Sequence, residues 1–214
     1  MGHDAPSKRS YLTIHRPIQR GVIEDTLQME QLFNHIFPTP LLHVDPKEQP
    51  VLLTQATRNP KAHGEKLMQI LFESFEVPAM YITNQALSTL YAFGRLSGLA
   101  VCVGEGVTQI MPVDEGHCVR SGVSRSHYAG VDVTENLQTL LLERGYDFTK
   151  TSAEQDLLRA IKEKVSYTAI NFDTEIEIDR GSSQLEVNYE LPDGSTIRIG
   201  NERFRCIEPL YRRA

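Results

Sequence analysis

The run Leu99-Ala100-Val101-Cys102-Val103 limits the possible folds more than any other feature of the chain. It breaks at Gly104-Glu105-Gly106 and resumes as Val107-Thr108-Gln109-Ile110-Met111. The longest unbroken apolar stretch is therefore five residues, far short of the roughly 20 that a bilayer span requires. That length suits a buried strand, and the pattern predicts a strand, a glycine turn and a second strand. The N-terminus lacks a basic region followed by an apolar stretch, and Pro6 stands where a myristoylation signal wants Ser or Thr, which argues against secretion and acyl anchoring. With 40% hydrophobic and 23% charged residues, 214 residues are enough for a sizeable core in one or two domains.

Around this hairpin, helical and strand periods alternate. Tyr11 to Ile14 alternates as a strand that Pro17 ends. Glu24 to Phe37 carries Leu27, Met29, Leu32, Phe33 and Ile36 at helical spacing, closed by Pro38 and Pro40. Val51 to Thr54 reads as a short buried strand. Gly64 to Glu76 and Asn84 to Phe93 read as amphipathic helices, the first stopping before Val77-Pro78. Further on, Thr134 is the expected N-cap of a helix ended by Gly145, and Ser152 that of a helix over Ala153 to Val165. Asp173 to Ser183 is the expected loop. Gln184 to Leu191, Pro192-Asp193-Gly194 and Thr196 to Ile199 predict a hairpin. The class is mixed α/β, without repeats or low-complexity tracts.

Charge and cysteine usage narrow the partners. Lys plus Arg number 22 and Asp plus Glu 28, a net charge of -6, with no strong basic block outside the short Arg203 to Arg213 tail, so nucleic acid is a poor default partner. Cys102, Cys118 and Cys206 form no Cys-x-x-Cys pair, which suits a reducing cytosol or nucleus. The seven histidines never make a His-x-x-x-His pair or a metal cluster, and no metal ligand is nominated. Cys102 reads either as a small buried hydrophobe or as a reactive thiol. Gly104-Glu105-Gly106 reads either as an ordinary hairpin turn or as a phosphate cradle. Spacing alone leaves both pairs open.

Longer segments are more specific. RPIQRGVI, PVLLTQATRNPKAHGEKLMQILFESFEVPAMYITNQALSTLYAFGR, GEGVTQIMPVDEG, YAGVDVTENL, ERGYDFTKTSAEQDLLRAIKEKVSYTAINFD and YELPDGSTIRIGNERFRCIEP resemble, in order, consecutive segments of actin and the actin-related proteins. The resemblance runs from about Ala5 to Pro209. It implies a partial α/β actin-like fold, of the type shared by actin, heat-shock chaperones and hexokinase, with ATP and a divalent cation between two lobes. By this likeness residues 1–17 are a remnant of the small outer part with the DNase-binding loop, and residues 18–92 belong to the barbed-end part. Residues 93–128 belong to the third part with the second phosphate loop, and residues 129–214 make up most of the fourth. The N-terminal phosphate hairpin and the C-terminal glycine-rich and helical segments have no counterpart, so a truncated isoform or gene model stands as a further reading.

The resemblance also nominates residues. Gly104, Glu105 and Gly106 match the second phosphate loop, with Glu105 in place of aspartate. Gly130 and Asp132 match the turn beside the ribose, where Val131 replaces an arginine. Arg159, Lys162 and Glu163 match the helix whose Lys-Glu pair flanks adenine and ribose, although Lys162 and Glu163 are also readable as a solvated charge face. Gln85 matches a glutamine that orients the attacking water, and Gln109 stands in place of the water-polarising histidine. Cys102 stands where the family has the aspartate that organises the cation's water shell, and a soft thiol serves magnesium poorly. Arg20 replaces a methylated histidine. The expected function is an actin-like cytoskeletal or assembly subunit acting through protein contacts, with ATP and Mg2+ binding impaired or absent and ATP hydrolysis weak or absent. The alternative is a conventional ATP-binding, filament-forming actin-type ATPase. The implied partners are actin or other actin-family subunits, actin-binding proteins and a folding chaperone. The implied location is the cytoplasmic cytoskeleton or the nucleus. Loss of part of the family's cover over the Leu99 to Val103 sheet predicts exposed apolar patches and a chain that self-associates, aggregates or needs a chaperone or partner.

Overall fold

The computed structural model describes residues 15–37 and 42–211. The chain divides into two compact units, Met1–His127 and Tyr128–Ala214. The expected strand at Tyr11 to Ile14 and the closing prolines Pro38 and Pro40 lie outside the described residues.

The first unit opens with a hairpin that the sequence reading missed. β1 (Ile18–Gln19) pairs antiparallel with β2 (Val22–Ile23) through Arg20 and Gly21, both at positive φ (47° and 73°), the conformation that two-residue hairpin turns demand. α1 (Thr26–Ile36) follows, its first turn capped by the Asp25 carboxylate, which accepts the Gln28 N–H at 3.0 Å. β3 (Val51–Gln55) leads into α2 (Lys61–Gln69), which starts right after Pro60 rather than at the expected Gly64 and runs on into a π-helical turn over Ile70–Ser74. β4 (Met80–Asn84), also missed, lies parallel to β3, with Leu52 opposite Tyr81. The helical elements bury Met29, Phe33, Phe37, Leu67, Ile70, Leu71, Phe75 and Val77 in one cluster. β3 is not the buried strand expected. Val51 and Leu53 pack on that cluster, but Leu52 points to the other face and is 64% exposed, as the two-residue period of a strand requires.

A second cluster supports the hairpin. α3 (Gln85–Ala92) is capped by the Asn84 side chain, which accepts the Ala86 N–H at 3.0 Å. β5 (Gly98–Val103) and β6 (Thr108–Asp114) form the expected antiparallel pair, with Cys102 opposite Gln109. β7 (His117–Cys118) and β8 (Ser124–Ser126) both pair with β6. Ala86, Leu90, Ala100, Met111, Val113 and Val123 fill the space between α3 and one face of the sheet. On the opposite face Leu99, Val101 and Val103 are 61%, 57% and 56% exposed. The apolar run is thus a strand with two apolar faces, of which the described residues cover one.

The second unit has a single core. α4 (Gly130–Glu143) has its N-cap at Ala129, whose carbonyl accepts the Val133 N–H at 3.2 Å, and not at the expected Thr134. The Asp132 carboxylate accepts the Ala129 N–H at 2.9 Å, while the Thr134 hydroxyl sits inside the helix and donates to the Gly130 carbonyl at 3.0 Å. α5 (Ser152–Val165) is capped by Thr151, one residue before the expected Ser152. Glu154 closes a capping box on the Thr151 N–H at 2.8 Å. The expected loop at Asp173 to Ser183 is instead mostly helix, α6 (Phe172–Gly181). Asn171 caps it, Asp173 and Glu175 sit in its first turn and Arg180 in its last, each placed well for the helix dipole. β9 (Val187–Glu190) and β10 (Thr196–Ile199) form the expected hairpin, and α7 (Glu202–Arg205) follows. Val133, Leu137, Leu140, Leu141, Leu158, Ile161, Val165, Ile197, Ile199 and their neighbours form the core.

Candidate functional site

In the first unit the nominated glycines are explained by close packing. Neither Gly104 nor Gly106 has a positive φ. The Gly104 N–H donates to the Val107 carbonyl at 3.0 Å and closes the hairpin turn. A Cβ on Gly106 would lie 2.7 Å from the Arg20 Cα and 3.0 Å from its nitrogen, so only glycine lets the β1–β2 turn approach. Glu105 is exposed at the tip.

The two nominated glutamines meet. Gln109 is 2% exposed. Its Oε1 accepts the Thr57 N–H at 2.8 Å, and its Nε2 donates to Gln85 Oε1 at 2.9 Å. Gln85 is exposed at the start of α3. Both polar ends of Gln109 are therefore engaged inside the protein. Cys102, opposite Gln109, is half-buried and packs against the α3 cluster.

Arg125 is a residue that sequence reasoning missed. Its Nη1 donates to the Thr57 carbonyl at 2.9 Å and to Asn59 Oδ1 at 2.6 Å, and its Nη2 donates to the Arg20 carbonyl at 2.7 Å. Asn59 Nδ2 in turn donates to the Gly21 carbonyl at 2.8 Å. Arg20 and Arg58, both at positive φ, flank these acceptors, so one guanidinium ties down two left-handed turns. Among the described residues the buried Thr57 Oγ1 and Arg125 Nε have no hydrogen-bond partner. No spacing rule links positions 20, 57, 59, 109 and 125. The only sequence sign is the polar character of Gln109 within an apolar strand.

In the second unit Gly130, Asp132 and Lys162 come together at the start of α4. Lys162 Nζ donates to the Gly130 carbonyl at 2.9 Å, and Asp132 is held by the Ala129 N–H. Arg159 is half-buried one turn earlier on α5, and Glu163 is exposed. Cys206 is buried nearby, and desolvation pushes its thiol up from the ordinary range. A separate polar cavity of about 610 Å³ lies among Arg144, Asp179, Arg180, Glu186, Asn201 and Glu202, and none of the nominated residues lines it.

A family model described as Actin matches residues 1–214, the whole chain. The chain belongs to the actin family. The two units differ in the groups they gather around the nominated residues. In the second unit the Lys162 ammonium donates to the Gly130 carbonyl beside the Asp132 carboxylate. In the first unit the Gly104 amide is engaged in its own turn, and Cys102, which the resemblance sets in place of the aspartate that organises the cation's water shell, is a soft and half-buried thiol. These groups do not fit a magnesium water shell. Among the described residues no three His, Cys, Asp or Glu side chains are grouped to hold a metal ion, and no helix is long and apolar enough to cross a membrane.

Proposed function

We propose that this actin-family chain works as a cytoskeletal or assembly subunit through protein–protein contacts, with little or no ATP hydrolysis. Its partners in this reading are actin, other actin-family subunits and actin-binding proteins. One observation carries the reading: Gln109, in the water-polarising position, has its acceptor occupied by the Thr57 N–H and its donor by Gln85. Hydrolysis requires a positioned water and an in-line, cation-bound phosphate. An amide buried among these partners is held away from solvent, and at neutral pH it takes no proton from water.

The contact of Lys162 with Gly130 beside Asp132 favours a second reading, a conventional ATP-binding, filament-forming actin-type ATPase. Equilibrium dialysis with labelled ATP, with and without Mg2+, combined with a phosphate-release assay, separates the two. Weak or magnesium-independent binding without turnover supports the assembly reading. Micromolar, magnesium-dependent binding with turnover defeats it.

A further inference from the structure

We propose that the polar cavity of the second unit is a binding site for a small organic cation, an amine or guanidine that brings several N–H donors. This goes beyond the reading above and holds whether or not ATP is turned over. The cavity, of about 610 Å³, lies where two helices end: Leu140, Glu143 and Arg144 line it from α4, and Asp179, Arg180 and Gly181 from α6. The C-terminal end of a helix carries partial negative charge and attracts cations. In α6 the last helical bond runs from the Ser182 N–H to the Ile178 carbonyl at 2.9 Å, so the carbonyls after it have no partner within the helix.

Glu202 in the cavity wall decides the sign of the ligand. Its side chain is 4% exposed. Oε2 accepts from Arg144 Nη1 at 3.1 Å and from the Gly200 N–H at 2.8 Å, while Oε1 has no hydrogen-bond partner among the described residues. The sealed side-chain atoms without a partner among those residues are Thr57 Oγ1 and Arg125 Nε, so Glu202 Oε1 opens onto the cavity. A carboxylate oxygen so placed binds a charged donor best.

The neighbouring groups share this bias. Asp179 gives Oδ2 to Asn201 Nδ2 at 2.5 Å and keeps Oδ1 for another donor. Glu143 is exposed, and its side chain makes no hydrogen bond or ion pair among the described residues. Arg144, by contrast, already holds Glu202, Glu186 at 3.5 Å and the Arg198 carbonyl at 3.3 Å, and Arg205 donates to Asn201 Oδ1 at 3.1 Å. Arg180, exposed beside Asp179, is the group that opposes a cation. A bare metal ion does not suit this lining, because no three His, Cys, Asp or Glu side chains among the described residues are grouped to hold one. An organic cation carries its donors along its length and reaches carboxylates that stand apart.

Amide NMR on the full chain, titrated with agmatine, tests this. Agmatine carries a guanidinium at one end and a primary ammonium at the other. It should shift the backbone amides of Gly181, Ser183 and Gly200, saturate below about 10 mM, and leave Gly104 and Gly106 of the first unit in place. At matched ionic strength, tetramethylammonium, a cation without an N–H donor, and Mg2+ should move none of them. Glu202→Gln and Asp179→Asn should each raise the agmatine Kd about tenfold through loss of a charge-assisted hydrogen bond. Glu143→Gln, which removes only an exposed charge, should raise it about twofold. Arg180→Ala should lower it about twofold by removing a like charge. If Glu202→Gln does not fold, Asp179→Asn and Arg180→Ala decide. Absence of saturation, equal shifts with tetramethylammonium or Mg2+, an unchanged Kd in folded Asp179→Asn, or Arg180→Ala that fails to tighten binding would each overturn the proposal. ATP turnover would defeat the assembly reading and leave this site standing.

Discussion

The β9–β10 hairpin of the second unit and the β5–β6 hairpin of the first are both apolar-rich antiparallel pairs, yet they place their side chains differently. In β10, Ile197 and Ile199 point into the core while Thr196 and Arg198 point to solvent. In β5, Ala100 points inward and Leu99, Val101 and Val103 face outward as an uncovered apolar row. An alternating strand needs cover on one face only. A continuously apolar strand needs cover on both, and covers one here.

The largest effect expected from this contrast is in stability. Leu137→Ala removes a fully buried side chain of the second core and should cost about 2–5 kcal/mol in denaturant melts. Val101→Ala should change stability by no more than about 0.5 kcal/mol. Similar losses for both would mean that the outer face of β5 is covered in solution, and the contrast would fail.

A smaller loss should follow Arg144→Ala. Glu202 is buried, and its Oε2 accepts from Arg144 Nη1 at 3.1 Å and from the Gly200 N–H at 2.8 Å. Removing the guanidinium leaves that carboxylate short of a partner at about 1–3 kcal/mol. Adding Glu202→Gln should recover part of the loss in a double-mutant cycle, and strict additivity would show that the two do not couple.

Val101→Lys should leave stability within about 0.5 kcal/mol of wild type yet reduce concentration-dependent self-association in sedimentation velocity. Identical sedimentation of the two proteins would show that the exposed row does not drive association.

The smallest effect is spectroscopic. Burial, then the hydrogen bond from Tyr167 to Glu175 Oε2 at 2.8 Å, pushes the Tyr167 phenol up to about 12. The folded state holds this proton more tightly than the unfolded chain. Its stabilising contribution is therefore full below the ordinary tyrosine value near 10 and is lost as pH rises through about 12. In an ultraviolet titration Tyr167 should ionise late, and Glu175→Gln should bring it earlier. No difference between the two curves would remove Glu175 as a cause.

Much of the fold was legible because local chemistry wrote it. The helix spacing of Leu67, Ile70 and Leu71, the helical period from Asn84 to Phe93 and the Pro192-Asp193-Gly194 turn each act within a few residues. The misreadings have physical reasons. Thr134 resembles a cap, but the N-cap is Ala129, whose N–H the Asp132 carboxylate accepts. Asp173 to Ser183 looks polar enough for a loop, yet Asn171 and the dipole-matched charges make it helical, with Phe172 packing edge-on to Phe204. For the candidate site, the resemblance named Gln85 and Gln109 individually. Thr57 and Arg125 carried no signal, because their roles depend on a backbone N–H and on carbonyls, which every residue but proline displays alike.

The sequence by itself determined the actin-family membership, the α/β class and the position of the hairpin around Gly104 to Gly106, because each is written in residue type and order. Only the tertiary structure decided that Gly106 is needed for the approach of Arg20, that the described residues cover one face of β5 and that Gln109 is engaged at both ends. Those facts depend on which backbone groups and surfaces meet across distant parts of the chain. Hydrogen-bond polarity and burial are properties of such meetings, and no single residue carries them alone.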